Sequence, residues 1–274
     1  MPSPSPDTFG QADDSFWLFG YGSLLWKPPP HFDQRVPGYI EGYVRRFWQA
    51  SEDHRGTPSA PGRVLTLIDR AHWDTLTDHH EPPERVWGAA YHIPAAKVAE
   101  VREYLDIREI NGYSIQFTPF HPAPFVTSIS SLPTTPAHSS TRSITASTTI
   151  FAKPEKQGQA INCLVYIGLP SNPQFLGPQD PDALARHILK SQGPSGENRE
   201  YLFLLEKCLL ELSRDSGDKH VSDLVRRCKE IEAVAQTQAE GDEDGGDGAE
   251  QTQVPVGESL HIDGSSEQPE EVEK

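Results

Sequence analysis

Residues 19–26 read Phe19-Gly-Tyr-Gly-Ser-Leu-Leu-Trp26, and their types suit them to hold negative charge. Glycines on both sides of Tyr21 let the backbone turn sharply and approach a bound group without an intervening Cβ. Turned together, the amide N–H groups of Gly20, Tyr21, Gly22, Ser23 and Leu24 make a concave set of donors for a carboxylate or a developing oxyanion. Ser23 adds a hydroxyl, and Tyr21 a wall with a polar tip. The plainer reading is a strand ending in an ordinary glycine turn, and a short glycine motif does not by itself separate the two.

Glu109 is the carboxylate that stands out. It follows Leu105 by four residues on a helical pattern, which puts it beside the apolar stripe rather than on the wet face. It also falls in the last helical turn, where the negative end of the dipole disfavours a carboxylate. Both effects raise a carboxyl toward the range of a general base. A structural ion pair with Arg108 or another arginine is the competing reading.

Other polar clusters carry weaker signals. Asp53-His-Arg-Gly56 is followed by Pro61-Gly-Arg63. Adjacent residues on a turn rarely face each other, so Asp53 and His54 suit an Asx-stabilised loop better than an acid–base pair. Arg55 or Arg63 could anchor a substrate carboxylate. His72, His79 and His80 lie in an irregular acidic loop without the ligand spacing of a zinc site. Cys163 sits inside an apolar run and reads as an inert core thiol. Gly193-Pro-Ser-Gly196 lacks the Gly-Lys-Ser/Thr ending of a phosphate loop and reads as a helix–helix connection. Gly20-x-Gly22 lacks the third glycine and the βαβ context of a dinucleotide fingerprint.

The elements that must position these residues follow from hydrophobic periodicity. Phe16–Phe19 reads as a short buried strand that delivers the glycine loop. Further strands are expected at Val36–Glu41, Tyr43–Gln49, Val64–Ile68 and Val86–His92, separated by Pro, Gly and Asp turns. Pro94 opens a helix that places Val98, Val101 and Leu105 on one face, and Asn111-Gly112 stops it. A strand at Tyr113–Phe117 precedes a Ser/Thr/Pro-rich stretch, about 119–149, that reads as a long mobile insertion. Strands at Thr149–Ala152 and Ile161–Ile167 come next. Helices at Asp182–Gln192, Glu197–Ser213 and His220–Ala235 close the fold. Many short strands before a helical C-terminus predict an α+β class.

Composition sets the limits. Residues 1–15 are rich in Pro, Ser and Asp, and 234–274 are acidic with few large apolar side chains, so both are expected to be disordered around a domain at 16–233. From Val234 onward 12 Asp or Glu stand against one Lys, so the tail carries about −11 of the formal net charge of −16. The body is mildly acidic and lacks the basic face of a nucleic-acid binder. No run of about 18 apolar residues predicts a membrane span, and residues 1–15 lack the basic and apolar regions of a secretory signal. Three widely spaced cysteines, Cys163, Cys208 and Cys228, form neither a disulfide framework nor a CxxC site and suit the reducing cytoplasm. No sequence feature sets an oligomeric state.

Taken in order, the segments resemble the ChaC family of glutathione-specific γ-glutamylcyclotransferases. The resemblance runs through Phe19-Gly-Tyr-Gly-Ser-Leu-Leu-Trp-Lys27, Arg45-Arg-Phe-Trp-Gln49, Asp53-His-Arg-Gly56, Pro61-Gly-Arg-Val64 and Val86-Trp-Gly88. It continues through Tyr104-Leu-Asp-Ile-Arg-Glu109, Gly112-Tyr113, Tyr166-Ile-Gly168, Leu176-Gly-Pro178 and the Gly193 to Leu202 stretch, covering nearly all of 16 to about 233. It departs at the Ser/Thr/Pro insertion, at both tails, and at Asn111, where a small residue is expected. The resemblance implies a small mixed β-barrel flanked by helices. It makes Gly20, Tyr21, Gly22, Ser23, Leu24 and Leu25 the substrate-binding loop and Glu109 the catalytic acid/base. The implied substrate is glutathione, the implied products are 5-oxoproline and Cys-Gly, and neither metal nor cofactor is required. Arg55, Arg63 and Tyr201 remain alternatives for further substrate contact.

Overall fold

The computed structural model describes residues 15–108, 113–124 and 160–243. Its centre is a closed five-stranded barrel in the order β1-β5-β2-β6-β7. These strands are β1 (Phe16–Gly20), β2 (Gln34–Ile40), β5 (Val86–Ile93), β6 (Tyr113–Pro122) and β7 (Ile161–Gly168). Every pairing is antiparallel except the last, where β7 runs parallel to β1 through Trp17↔Cys163 and Leu18↔Leu164. The single parallel seam makes the barrel mixed. Because β1 holds both seams, it is buried at Leu18 and Phe19 and delivers Gly20 to the barrel's end with little freedom.

A second, two-stranded sheet is formed by β3 (Tyr43–Ser51) and β4 (Gly62–Asp69), with a bulge between Arg46 and Gln49. Nearly all of β3 is buried, including Arg45, Arg46 and Gln49. Around these sheets lie α1 (Arg70–Trp73), α2 (Val98–Arg108), α3 (Pro181–Lys190), α4 (Asn198–Leu212) and α5 (Lys219–Glu243). A tight hairpin of β8 (Gln192–Gly193) and β9 (Gly196–Glu197) joins α3 to α4. On α2 the expected face of Val98, Val101 and Leu105 is buried, each side chain contributing about 1.5–3 kcal/mol. Asp180 caps α3 by accepting from the Ala183 N–H at 2.9 Å, with Pro181 at the first helical position.

Three elements differ from expectation. The strand predicted to end at Phe117 runs on to Pro122, pairing Phe120 with Ile161 and with Ile40. Pro119 and Pro122 only remove backbone donors, while Phe120 between them is fully buried and packs on Phe19 at 5.7 Å between ring centroids. The loop expected around His72 contains α1, capped by Asp69, which accepts from the N–H groups of Ala71 and His72. Helix α5 continues past Ala235 to Glu243, through Gln, Ala and Glu residues that favour helix without an apolar face. The predicted strand Thr149–Ala152 and most of the 119–149 insertion lie outside the described residues.

The chain divides into two compact units, Met1–Ala233 and Val234–Lys274. In the second, the described residues are the last turns of α5. Among the described residues no helix is long and apolar enough to cross a membrane.

Candidate active site

The glycine loop leaves β1 and closes into one 3₁₀ turn at Ser23–Leu25. Gly20 is required sterically, since a Cβ there would lie 2.7 Å from the Leu24 Cβ. A Cβ on Gly22 would lie 3.0 Å from the Tyr201 hydroxyl. The turn is tied by Leu25 N–H to the Gly22 carbonyl at 2.9 Å and by Lys27 N–H to the Ser23 carbonyl at 2.9 Å. Two tyrosine hydroxyls, one of the loop and one of β5, tie it to the barrel. Tyr21 donates to the Tyr166 carbonyl at 2.8 Å, and Tyr91 donates to the Leu24 carbonyl at 2.7 Å.

This loop forms one side of a recess of about 50 Å³, lined by Tyr21, Gly22, Ser23 and Leu24 with Tyr113, Tyr166 and Tyr201. The first N–H groups of a 3₁₀ turn have no carbonyl within the turn to bond. The stretch of the loop that faces the recess is Tyr21–Leu24, and Leu25 N–H is spent inside the turn. Gly20 and Leu25 are buried behind it. Among the described residues no Asp, Glu, Lys, Arg or His side chain lines the recess.

Ser23, Tyr113 and Tyr201 also line a larger cavity of about 380 Å³, with Lys27, His54, Arg55, Tyr104, Gln174 and Ser195 among its other walls. Part of that wall is two turns pressed backbone to backbone. A Cβ on Gly56 would meet the Gly62 nitrogen at 2.0 Å, and one on Gly193 would meet the His54 carbonyl oxygen at 2.4 Å. Ser195 N–H donates to the His54 carbonyl at 2.9 Å, and the Ser195 hydroxyl lies 3.2 Å from His54 Nδ1. Fully buried Asn198 acts as a strand edge toward Arg63, accepting from its N–H at 2.6 Å and donating to its carbonyl at 2.7 Å.

The two candidate arginines separate clearly. Arg63 turns to Gln179 and to the Pro61 and Gly62 carbonyls. Arg55 faces the cavity, held by the Glu197 carbonyl at 2.8 Å and stacked 5.8 Å from the Tyr201 ring centre. A third arginine, Arg45, is fully buried in β3, donates to the Trp87 carbonyl and lies 3.7 Å from Asp218. Burial pushes its pKa down, while Asp218, Tyr21 and Tyr201 act the other way.

Glu109 lies outside the described residues. Tyr104, five positions before it on α2, lines the larger cavity. Asp53 and His54 line the cavity too, with 3.7 Å between the carboxylate and Nε2. Among the described residues no three His, Cys, Asp or Glu side chains gather as metal ligands would. His80 instead contacts Asp223 and His220, and His72 packs near Phe175. Cys163 is buried in β7, and burial pushes its thiol far up, away from a nucleophile's range.

Sequence reasoning passed over Tyr166, Gln174 and Ser195 as site residues. The Gly193-Pro-Ser-Gly196 motif held the signal for Ser195, but a 141-residue separation from His54 hides such a contact.

A family model described as ChaC-like protein matches residues 16–231. The glutathione-specific γ-glutamylcyclotransferase of Schizosaccharomyces pombe is 42% identical over 214 residues, 77% of this chain and 91% of that protein. The enzyme of the same description from Saccharomyces cerevisiae is 37% identical, over 73% of this chain and 88% of its own. A crystal structure of a γ-glutamylcyclotransferase specific to glutathione from yeast superposes with a TM-score of 0.64 at 32% identity, covering 80% of this chain and 97% of that one.

Proposed function

This chain belongs to the ChaC-like protein family, and we propose that it cleaves glutathione to 5-oxoproline and Cys-Gly. The observation that carries this reading is the alignment along 16–231 with glutathione-specific relatives. The aromatic recess under the Gly20–Leu25 loop adds a site of suitable form.

The chemistry is an internal transfer. The α-amine of the γ-glutamyl residue attacks its own γ-carbonyl carbon, closing a five-membered lactam, and the bond to the cysteine nitrogen breaks. The amine is protonated at neutral pH, so a base must take its proton before attack, and Glu109 is assigned that role. The oxyanion formed on attack is met by the N–H groups of Gly22, Ser23 and Leu24. Glu109 then returns that proton to the departing cysteine nitrogen, takes the second proton from the ring nitrogen as the lactam forms, and passes it to the released amine. Atoms balance without water, an enzyme nucleophile or a cofactor. Held in a fixed recess, the amine and carbonyl react at high effective molarity. Tyr21, Tyr113 and Tyr201 exclude water around them.

The free, largely buried thiols suit a cytoplasmic enzyme. The test is to incubate the purified chain with glutathione and with γ-Glu-Ala, and to assay 5-oxoproline and Cys-Gly by mass spectrometry. The expected result is both products from glutathione and little 5-oxoproline from γ-Glu-Ala. Product from γ-Glu-Ala alone would assign a different cyclotransferase, and none from either would end the enzyme reading.

A further inference from the structure

Glutathione carries a second carboxylate, on its glycine, far from the reacting carbonyl. With the γ-glutamyl group against the Gly20–Leu25 loop, the departing part occupies the outer cavity. Among the described residues its wall holds three side chains that can carry positive charge: Lys27, His54 and Arg55. Lys27 follows directly on the 3₁₀ turn at the recess. Arg55 stands on the glycine-clamped turn.

The Arg55 side chain is only 6% exposed, although it lines the cavity. One nitrogen, Nη1, is committed, to the Glu197 carbonyl at 2.8 Å and to the Glu200 carboxylate at 3.2 Å. Nε and Nη2 carry no hydrogen bond to the described residues. They form the edge of a guanidinium that matches a carboxylate in two parallel bonds. The backbone behind it cannot shift, since Gly56, Gly62 and Gly193 leave no room for a Cβ. Beside it, Ser195 and His54 offer a hydroxyl and a ring nitrogen, 3.2 Å apart.

We propose that Arg55 binds the terminal carboxylate of the departing Cys-Gly, and so selects glutathione over γ-glutamyl compounds that lack that charge. This rests on the reaction assigned above. Charged hydrogen bonds of this kind are worth about tenfold to a hundredfold in affinity.

The test compares glutathione with its glycinamide, which has the same scissile bond but no terminal charge. For the native chain, kcat/KM for the amide is expected to be lower by about tenfold to a hundredfold, mostly through KM. In Arg55→Gln, glutathione should fall to the level of the amide, while the amide itself stays near its native rate and so reports an intact site. Arg55→Lys keeps a charge toward Glu200 without the fork, and should retain a reduced preference should the glutamine variant fold poorly. Equal turnover of the two substrates by the native chain would overturn the subsite alone. An equal loss for both substrates in Arg55→Gln and in Arg55→Lys would also overturn it, assigning Arg55 to the γ-glutamyl end or to the fold. No 5-oxoproline from any substrate would overturn the reaction and the subsite together.

Discussion

At Gly22 any side chain would press on the wall of the recess. A methyl group there would lie 3.0 Å from the Tyr201 hydroxyl, closer than ordinary van der Waals contact. Tyr201 is itself wedged edge-on against Trp26 at 5.2 Å and Phe47 at 5.8 Å, so it has little room to retreat. Gly22→Ala should therefore cost at least tenfold in kcat/KM while lowering the melting temperature by only a few degrees, checked by steady-state kinetics beside a thermal melt. Native kinetics in that variant would remove the loop from the site. For Glu109, replacement by Gln keeps the shape and removes the base. Turnover should fall by about 10²–10⁴-fold with an unchanged melt, and a native rate would refute the assigned role. The glycine loop was legible in the sequence because two glycines around a tyrosine are unusual at the end of a buried strand. Ser195, Gln174 and Tyr166 were not, since only the folded chain brings them beside residues distant in sequence.

At the level of elements, the cavity wall depends on junctions that periodicity does not reveal. Asn198, at the start of α4, replaces a missing strand neighbour for Arg63. Asn198→Ala leaves a backbone N–H and a carbonyl without partners, and should cost about 2 kcal/mol or more in denaturant unfolding. A second junction couples β3, the segment after α1 and the start of α5. Phe47 N–H donates to His220 Nε2 at 3.2 Å, His220 Nδ1 meets His80 Nδ1 at 3.3 Å, and His80 Nε2 meets Asp223 at 3.0 Å. The pattern closes when His220 carries its proton on Nδ1 and His80 on Nε2, both rings neutral. Burial pushes the His220 pKa well down, and Arg46, His80 and Arg45 add to this while Asp223 opposes it. Burial alone would raise Asp223, but hydrogen bonds from Arg227, Arg226 and His80 hold it well below the usual range. Asp78, paired with Arg46 at 2.6 Å, and Asp218, beside Arg45, complete the charges at this junction. A histidine depressed in the fold stabilises fully above its unfolded pKa of about 6.5 and loses that contribution as pH falls toward the folded value. Melting temperature should thus drop between pH 7 and pH 5, with a flatter slope in His220→Gln. The same slope in both would contradict the relay.

Over the whole molecule, the class of fold was readable from short strands preceding helices, and the family resemblance implied the mixed barrel that the structure closes. Alternation shows which face of a strand is buried. It does not show that β7 returns parallel to β1, or that β3 and β4 leave the barrel to form a separate sheet. The buried Arg45, Arg46 and Gln49 of β3 likewise contradict a simple hydropathy reading, because their partners come from distant segments. What unites these scales is an internal cyclisation that needs no water. That claim is tested most directly by running the reaction on glutathione in H₂¹⁸O and weighing the products. The account predicts unlabelled 5-oxoproline with one Cys-Gly for each molecule formed. Glutamate carrying one ¹⁸O in its γ-carboxylate would mean hydrolysis, and would contradict it.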